Sequence, residues 1–142
     1  MDSLFLLLKL NCTRLSKLAS AAAQARTGLP GAQAPALLML SMHGPRRISD
    51  LARDLDLGKP AATTLVDRME KAQLVFRQSD ESDARISVIT LTERGRAMAA
   101  DVAVMIGEFD ATLVGGLDEH EEAIVRRFLR RLSQLDTLQG KA

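Results

Sequence analysis

Apolar positions recur along the chain at two spacings, and the change between them sets out the elements. Leu4, Leu7, Leu8, Leu15, Leu18 and Ala22 keep roughly helical spacing, predicting a first helix over about residues 4–26. Gly28 and Pro30 punctuate its end. Leu37, Leu38, Leu40 and Met42 predict a second helix over about residues 32–42. His43-Gly44-Pro45 ends it, because proline cannot continue a helix and glycine takes the left-handed C-terminal position. Ile48-Ser49-Asp50-Leu51 opens a third helix, with the Ser49 hydroxyl as its predicted N-cap. Leu57-Gly58 breaks the chain, and Lys59-Pro60 starts a fourth helix, where the missing proline N–H costs nothing. Ala62, Leu65, Val66 and Met69 form one apolar stripe on it. Its other face carries Lys59, Thr63, Thr64, Asp67, Arg68 and Lys71.

After Leu74 the spacing drops towards two. Val75–Gln78 and Arg85–Leu91 read as strands joined by the polar stretch 79–84, a hairpin with a charged tip. Thr92 then caps a long helix to about Leu113, with Glu93 suited to its first turn. Gly115-Gly116 interrupts, and Asp118 caps a last helix whose apolar face is Ile124, Val125, Phe128, Leu129, Leu132 and Leu135. The chain thus reads as one mostly helical domain, residues 1–142, without repeats or linkers.

Composition narrows the chemistry. The 142 residues carry 19 Lys and Arg against 18 Asp and Glu, which excludes a histone-like polycation but not a local basic face. Residues 46–96 hold ten cations and nine anions, so that stretch is no more basic than the whole. With no Trp, no Tyr and four Phe, stacking platforms for single-stranded nucleic acid are nearly absent. Cys12 alone cannot form an intramolecular disulfide, and with only His43 and His120 beside it a zinc site is poorly supplied. No cofactor or metal is expected. No nucleophile–base set, Gly-rich phosphate loop or paired carboxylates point to an enzyme. Leu4–Leu8 lacks a preceding positive residue and is cut at Lys9, which predicts an amphipathic helix in a cytoplasmic protein, not a signal peptide or membrane span.

Residues 48–91 carry the functional signal. A short helix, a tight turn and a second helix with a polar outer face suit a helix-turn-helix whose second helix enters the major groove of duplex DNA. Lys59, Thr63, Thr64 and Arg68 lie on that face, and Arg85 near the hairpin tip would reach the neighbouring minor groove.

Several runs within residues 48–95, Leu65-Val66-Asp67-Arg68-Met69-Glu70-Lys71, Leu74-Val75, Asp80, Asp83-Ala84-Arg85 and Leu91-Thr92-Glu93-Arg94-Gly95, together resemble the MarR-type (multiple antibiotic resistance regulator) winged helix-turn-helix transcriptional regulators. The resemblance implies a mostly α winged helix-turn-helix with a two-stranded β wing and N- and C-terminal dimerisation helices. Residues 1–30 and 97–142 would supply those helices and residues 31–96 the DNA-binding part. It implies a homodimer on double-stranded DNA, reading a pseudo-palindrome with half-sites about one helical turn apart. Most members are repressors, released by a small phenolic or anionic effector. Carried over by position, Lys59, Pro60, Thr63, Thr64 and Arg68 would lie at the major groove. Arg85 would be the wing-tip arginine and Asp83 would hold the wing base.

Two departures stand out. Gln73 replaces the usual glycine after the recognition helix, where a left-handed residue costs about 1 kcal/mol, and the turn is expected to differ slightly. Ala84 and Thr64 replace frequent cations, which predicts specific binding that is not exceptionally tight. Arg14, Arg26, His43, Arg46 and Arg47 lie near the predicted seam between the two parts, where an anionic effector would bind, although such charges more often serve structure or solvation. Cys12 reads as a half-buried structural thiol; the alternative is a redox-responsive regulator, though the tyrosines that support the reactive cysteine of the peroxide-sensing branch are missing. A further alternative is a dimeric ligand- or protein-binding module with this fold and weak or lost DNA binding.

Overall fold

The computed structural model describes residues 3–135; residues 1–2 and 136–142 of the predicted single domain lie outside the described residues. The elements run α1 (Leu4–Thr27), α2 (Gln33–His43), β1 (Arg46–Arg47), α3 (Ile48–Asp54), α4 (Lys59–Lys71), β2 (Val75–Ser79), β3 (Ser87–Leu91), α5 (Glu93–Val114) and α6 (Glu119–Leu132). They form two compact units that divide within α5, after Ile106.

The first unit holds the core. Leu37 of α2, Leu51 of α3, Val66 and Met69 of α4, Leu74, Val75 and Ile89 of the sheet region, and Val102 of α5 are fully buried. All four residues of the predicted α4 stripe are buried, so this helix is held by its apolar face and leaves the polar one to solvent. The sheet is antiparallel in the order β1-β3-β2, with Val75 opposite Leu91 and Arg46 opposite Ile89. The wing thus rests on a third strand, β1, where two strands were expected. Two residues cannot display an alternation, so β1 left no pattern to read.

Pairing of β1 also moves the start of α3. Arg47 is held extended (φ −67°, ψ 152°) and occupies the N-cap position without a side-chain cap bond. Ser49, the predicted cap, therefore lies inside the first turn. The second strand of the hairpin starts at Ser87, because Asp83–Ile86 close a turn: the Ile86 N–H donates to the Asp83 carbonyl (3.0 Å) and the Asp80 N–H to that of Ile86 (2.8 Å).

The junction from α4 to α5 is close-packed. Thr92 Oγ1 accepts from the Gly95 N–H (2.9 Å), as a cap should, and its hydroxyl also donates to the Gln73 carbonyl (2.7 Å). Gln73 takes the left-handed backbone (φ 61°) that a glycine would favour at this position. The Leu74 N–H reaches back to the Met69 carbonyl at 2.9 Å and fixes this helix end. Gly95 is required for another reason: a Cβ there would clash with the Leu74 carbonyl oxygen.

In the second unit, Asp118 and Glu121 form the reciprocal capping box at the start of α6. Arg126 pairs with Glu122 one turn earlier at 2.7 Å. No residue of α6 is buried in this chain.

Candidate nucleic-acid interface

The turn between α3 and α4 is tight: the Leu57 N–H donates to the Ala52 carbonyl at 2.8 Å, and Gly58 serves as the N-cap of α4. Pro60 in the first turn of α4 needs no N–H partner there. Burial of Ala62, Leu65, Val66 and Met69 turns Lys59, Pro60, Thr64 and Arg68 outward, with Thr63 half-buried at the edge. The five α4 residues expected at the major groove thus share one helix and all lie outside its buried stripe. Lys59 and Arg68 take part in no ion pair among the described residues. The Thr63 and Thr64 hydroxyls donate to the carbonyls of Lys59 and Pro60, each at 3.0 Å.

Two acids on α4 oppose an anionic partner, and Arg77 answers both. This residue of β2 donates to Asp67 and to Glu70, each at 2.6 Å. The shared guanidinium holds its proton more firmly than usual, chiefly through the bond it donates to Asp67. The fork ties the wing to α4 and offsets part of the negative charge of the two carboxylates. Sequence reading missed it. The signal was Asp67 and Glu70 at i,i+3, a pair of carboxylates that calls for a cation from elsewhere in the chain.

The wing tip places Arg85 in the open, with 90% of its side chain exposed. Asp83 accepts from the Arg85 N–H (3.0 Å) and from its guanidinium (3.2 Å), which holds the Asp83 carboxyl below the ordinary range. Asp83 therefore folds the tip and meets Arg85. The wing base is pinned by another residue. Arg47 on β1 reaches Asp80 at 2.7 Å, and Asp80 also accepts from the Ser82 N–H and hydroxyl. These bonds, that of the Ser82 N–H foremost, keep Asp80 well ionised.

The predicted effector cations do not gather. Arg46 is paired with Asp54 of α3 and Arg47 with Asp80 of the wing, so both already serve structure. Arg14 lies exposed on α1, and His43 is exposed at the end of α2. A cleft of about 280 Å³ does open between α1, α2 and the first half of α5, but none of Arg14, His43, Arg46 and Arg47 lines it. Its walls are Ala23, Ala34, Leu38, Val102 and Met105, and its hydroxyls are those of Ser16 and Ser20. Cys12 is exposed on α1, not half-buried, because the apolar residues around it, Leu10 and Leu15, are themselves uncovered in this chain. Among the described residues no cluster of His, Cys, Asp or Glu could hold a metal ion, and no helix is long and apolar enough to cross a membrane.

Residues 27–86, from the end of α1 to the wing tip, match the sequence model of the MarR family. Over 96 residues the chain is 30% identical to the HTH-type transcriptional repressor Rv2887 of Mycobacterium tuberculosis, covering 68% of this chain and 69% of that protein. The chain belongs to the MarR family. An uncharacterized HTH-type transcriptional regulator of Bacillus subtilis, YhbI, is 34% identical over 101 residues, 70% of this chain. The matched stretch spans 66% of YhbI. The MarR winged-helix fold is also that of Staphylococcus aureus MepR in a DNA complex, at a TM-score of 0.78 and 22% identity over 93% of this chain and 96% of that one.

Proposed function

We propose that this MarR-family chain is a sequence-specific regulator of transcription that binds double-stranded DNA as a homodimer, acts as a repressor, and is no enzyme. One observation carries the reading. The exposed face of α4 presents Lys59 and Arg68 outside any ion pair among the described residues, while its two acids share the Arg77 guanidinium. Beside it, the wing offers an almost fully exposed arginine. A helix for the major groove and a cation for the adjacent minor groove are the two parts such recognition needs. A relative named as a repressor and the complex of MepR with DNA support the same reading.

Homodimerisation is supported by uncovered apolar side chains on both terminal helices, among them Leu4, Phe5 and Leu10 of α1 and Ile124, Val125 and Leu129 of α6. Two copies related by a twofold axis would present two α4 helices to a pseudo-palindrome. Release of DNA is assigned to a small molecule in the α1–α2–α5 cleft. Its lining favours a mainly apolar compound that meets the Ser16 and Ser20 hydroxyls, in place of the anion partnered by arginines.

The test is selection of bound duplexes from a random pool, followed by titration of the enriched sequence. Enrichment of a two-half-site motif, bound more tightly than random duplex, is the expected result. Equal affinity for every duplex, or none, would leave a MarR-fold module without DNA recognition.

A further inference from the structure

The face of α4 is poor in hydrogen-bond donors. Its Thr63 and Thr64 hydroxyl protons are committed to the carbonyls of Lys59 and Pro60, both at 3.0 Å. Each threonine then offers a partner only an oxygen lone pair and a methyl group. Ala61 is exposed on the same helix and adds another methyl. Pro60, also exposed, has no N–H. Between the two cations, Lys59 and Arg68, the helix therefore presents methyl groups and acceptors.

Base pairs differ in what they return to such a surface. In the major groove an A·T pair shows the thymine C5-methyl and the adenine amino donor side by side, whereas a G·C pair has no methyl. Methyl against methyl removes apolar area from water, and the free threonine lone pair suits an amino donor. We propose that Thr63 and Thr64 set operator preference by contacting thymine methyl groups, so that each half-site carries A·T pairs opposite the middle of α4. The inference rests on the DNA-binding reading above and deepens it. Lys59 and Arg68 then supply the charged contacts to either side.

Removal of the methyl alone tests this. The duplex enriched from a random pool is resynthesised with deoxyuridine at the half-site thymines, and in a second version at thymines between the half-sites. Both keep every Watson–Crick hydrogen bond. For the unaltered protein, half-site replacement is expected to weaken binding roughly fourfold for each contacted methyl, and replacement between the half-sites to change little. Thr64→Ser keeps the hydroxyl and loses the methyl; it is expected to bind the thymine duplex more weakly and to lose sensitivity to deoxyuridine at one position. Thr64→Val keeps the methyl and is expected to retain the thymine preference. Undiminished binding of the half-site deoxyuridine duplex would overturn the proposal. So would an equal loss from the spacer version, or a valine variant that loses the preference while the serine variant keeps it. If no duplex is enriched at all, the DNA-binding reading itself fails, a different result from a bound but methyl-blind duplex.

Discussion

α4 and α6 are both strongly amphipathic, yet they end in opposite conditions. α4 buries Ala62, Leu65, Val66 and Met69 against its own chain and leaves a polar face outside. α6 satisfies its polar groups locally, through the Asp118–Glu121 capping box and the Arg126–Glu122 pair, and buries nothing. An apolar stripe states that a face will be covered; it does not state by what. In α4 the cover is internal, so the remaining partner surface is cationic and polar. In α6 the remaining partner surface is apolar, with Ile124, Val125 and Leu129 exposed, which suits a second copy of the chain.

The contrast can be broken most severely at α6. Buried Ile or Leu side chains contribute about 1.5–3 kcal/mol each, and a twofold interface counts each residue twice. Ile124→Glu with Leu129→Glu is therefore expected to weaken self-association by about 6 kcal/mol or more on the same scale. Sedimentation would show a monomer; an intact dimer would place the interface elsewhere. Next in size is Gly95→Ala, which forces a Cβ against the Leu74 carbonyl at the junction that anchors α5 behind the wing. Thermal or urea unfolding should show a loss of about 3 kcal/mol. An unaffected midpoint would mean that the junction relaxes freely.

Arg85→Ala should change folding little, since the pair it loses with Asp83 sits at an exposed tip, and weaken binding of a selected duplex by about 1–3 kcal/mol. An unchanged affinity would remove the wing from the interface and leave α4 alone to carry recognition. Gln73→Gly works in the other direction. The left-handed backbone at φ 61° strains glutamine more than glycine, so stability should rise by about 0.5–1 kcal/mol, offset in part by glycine's greater freedom when unfolded. A loss of stability would show that the Gln73 side chain contributes more than its backbone costs.

The smallest effect concerns acid. Asp80 and Asp83 are held below the ordinary carboxylate range, by the Ser82 N–H and Arg47 for the first and by Arg85 for the second. A depressed folded value stabilises the ionised wing. That contribution is complete above the unfolded value of about 3.9 and is lost only as the pH falls through the lower folded values. Amide exchange in residues 79–87 should therefore be independent of these two groups from about pH 5 to 8 once corrected for intrinsic rates. Loosening of the wing near pH 5 would contradict the bonds that hold it.

Much of this was legible in the chain itself. Helical spacing, the Gly and Pro breaks, the Asp118 cap and the alternation of residues 85–91 are short-range signals, and the helices and the wing lie close to where those signals put them. The polar face of α4 followed from the same spacing. What was not legible spans distance. β1 is too short to show a pattern, and its pairing with β3 moved the N-cap of α3 from Ser49 to Arg47. Arg47 looked like an effector ligand until the fold brought it to Asp80, 33 residues away, and Arg77 met Asp67 across ten residues.

The sequence by itself determined which residues are helical, where the wing turns and which side of α4 stays polar. These depend on interactions within a turn or two, and the side chains involved are neighbours in the chain. The tertiary structure alone decided which charges distant in the chain meet, why Gly95 tolerates no side chain, and that the cleft beside α1 is lined by alanines and hydroxyls instead of arginines. A charge has no periodicity that names its partner; only the folded backbone brings the two within reach.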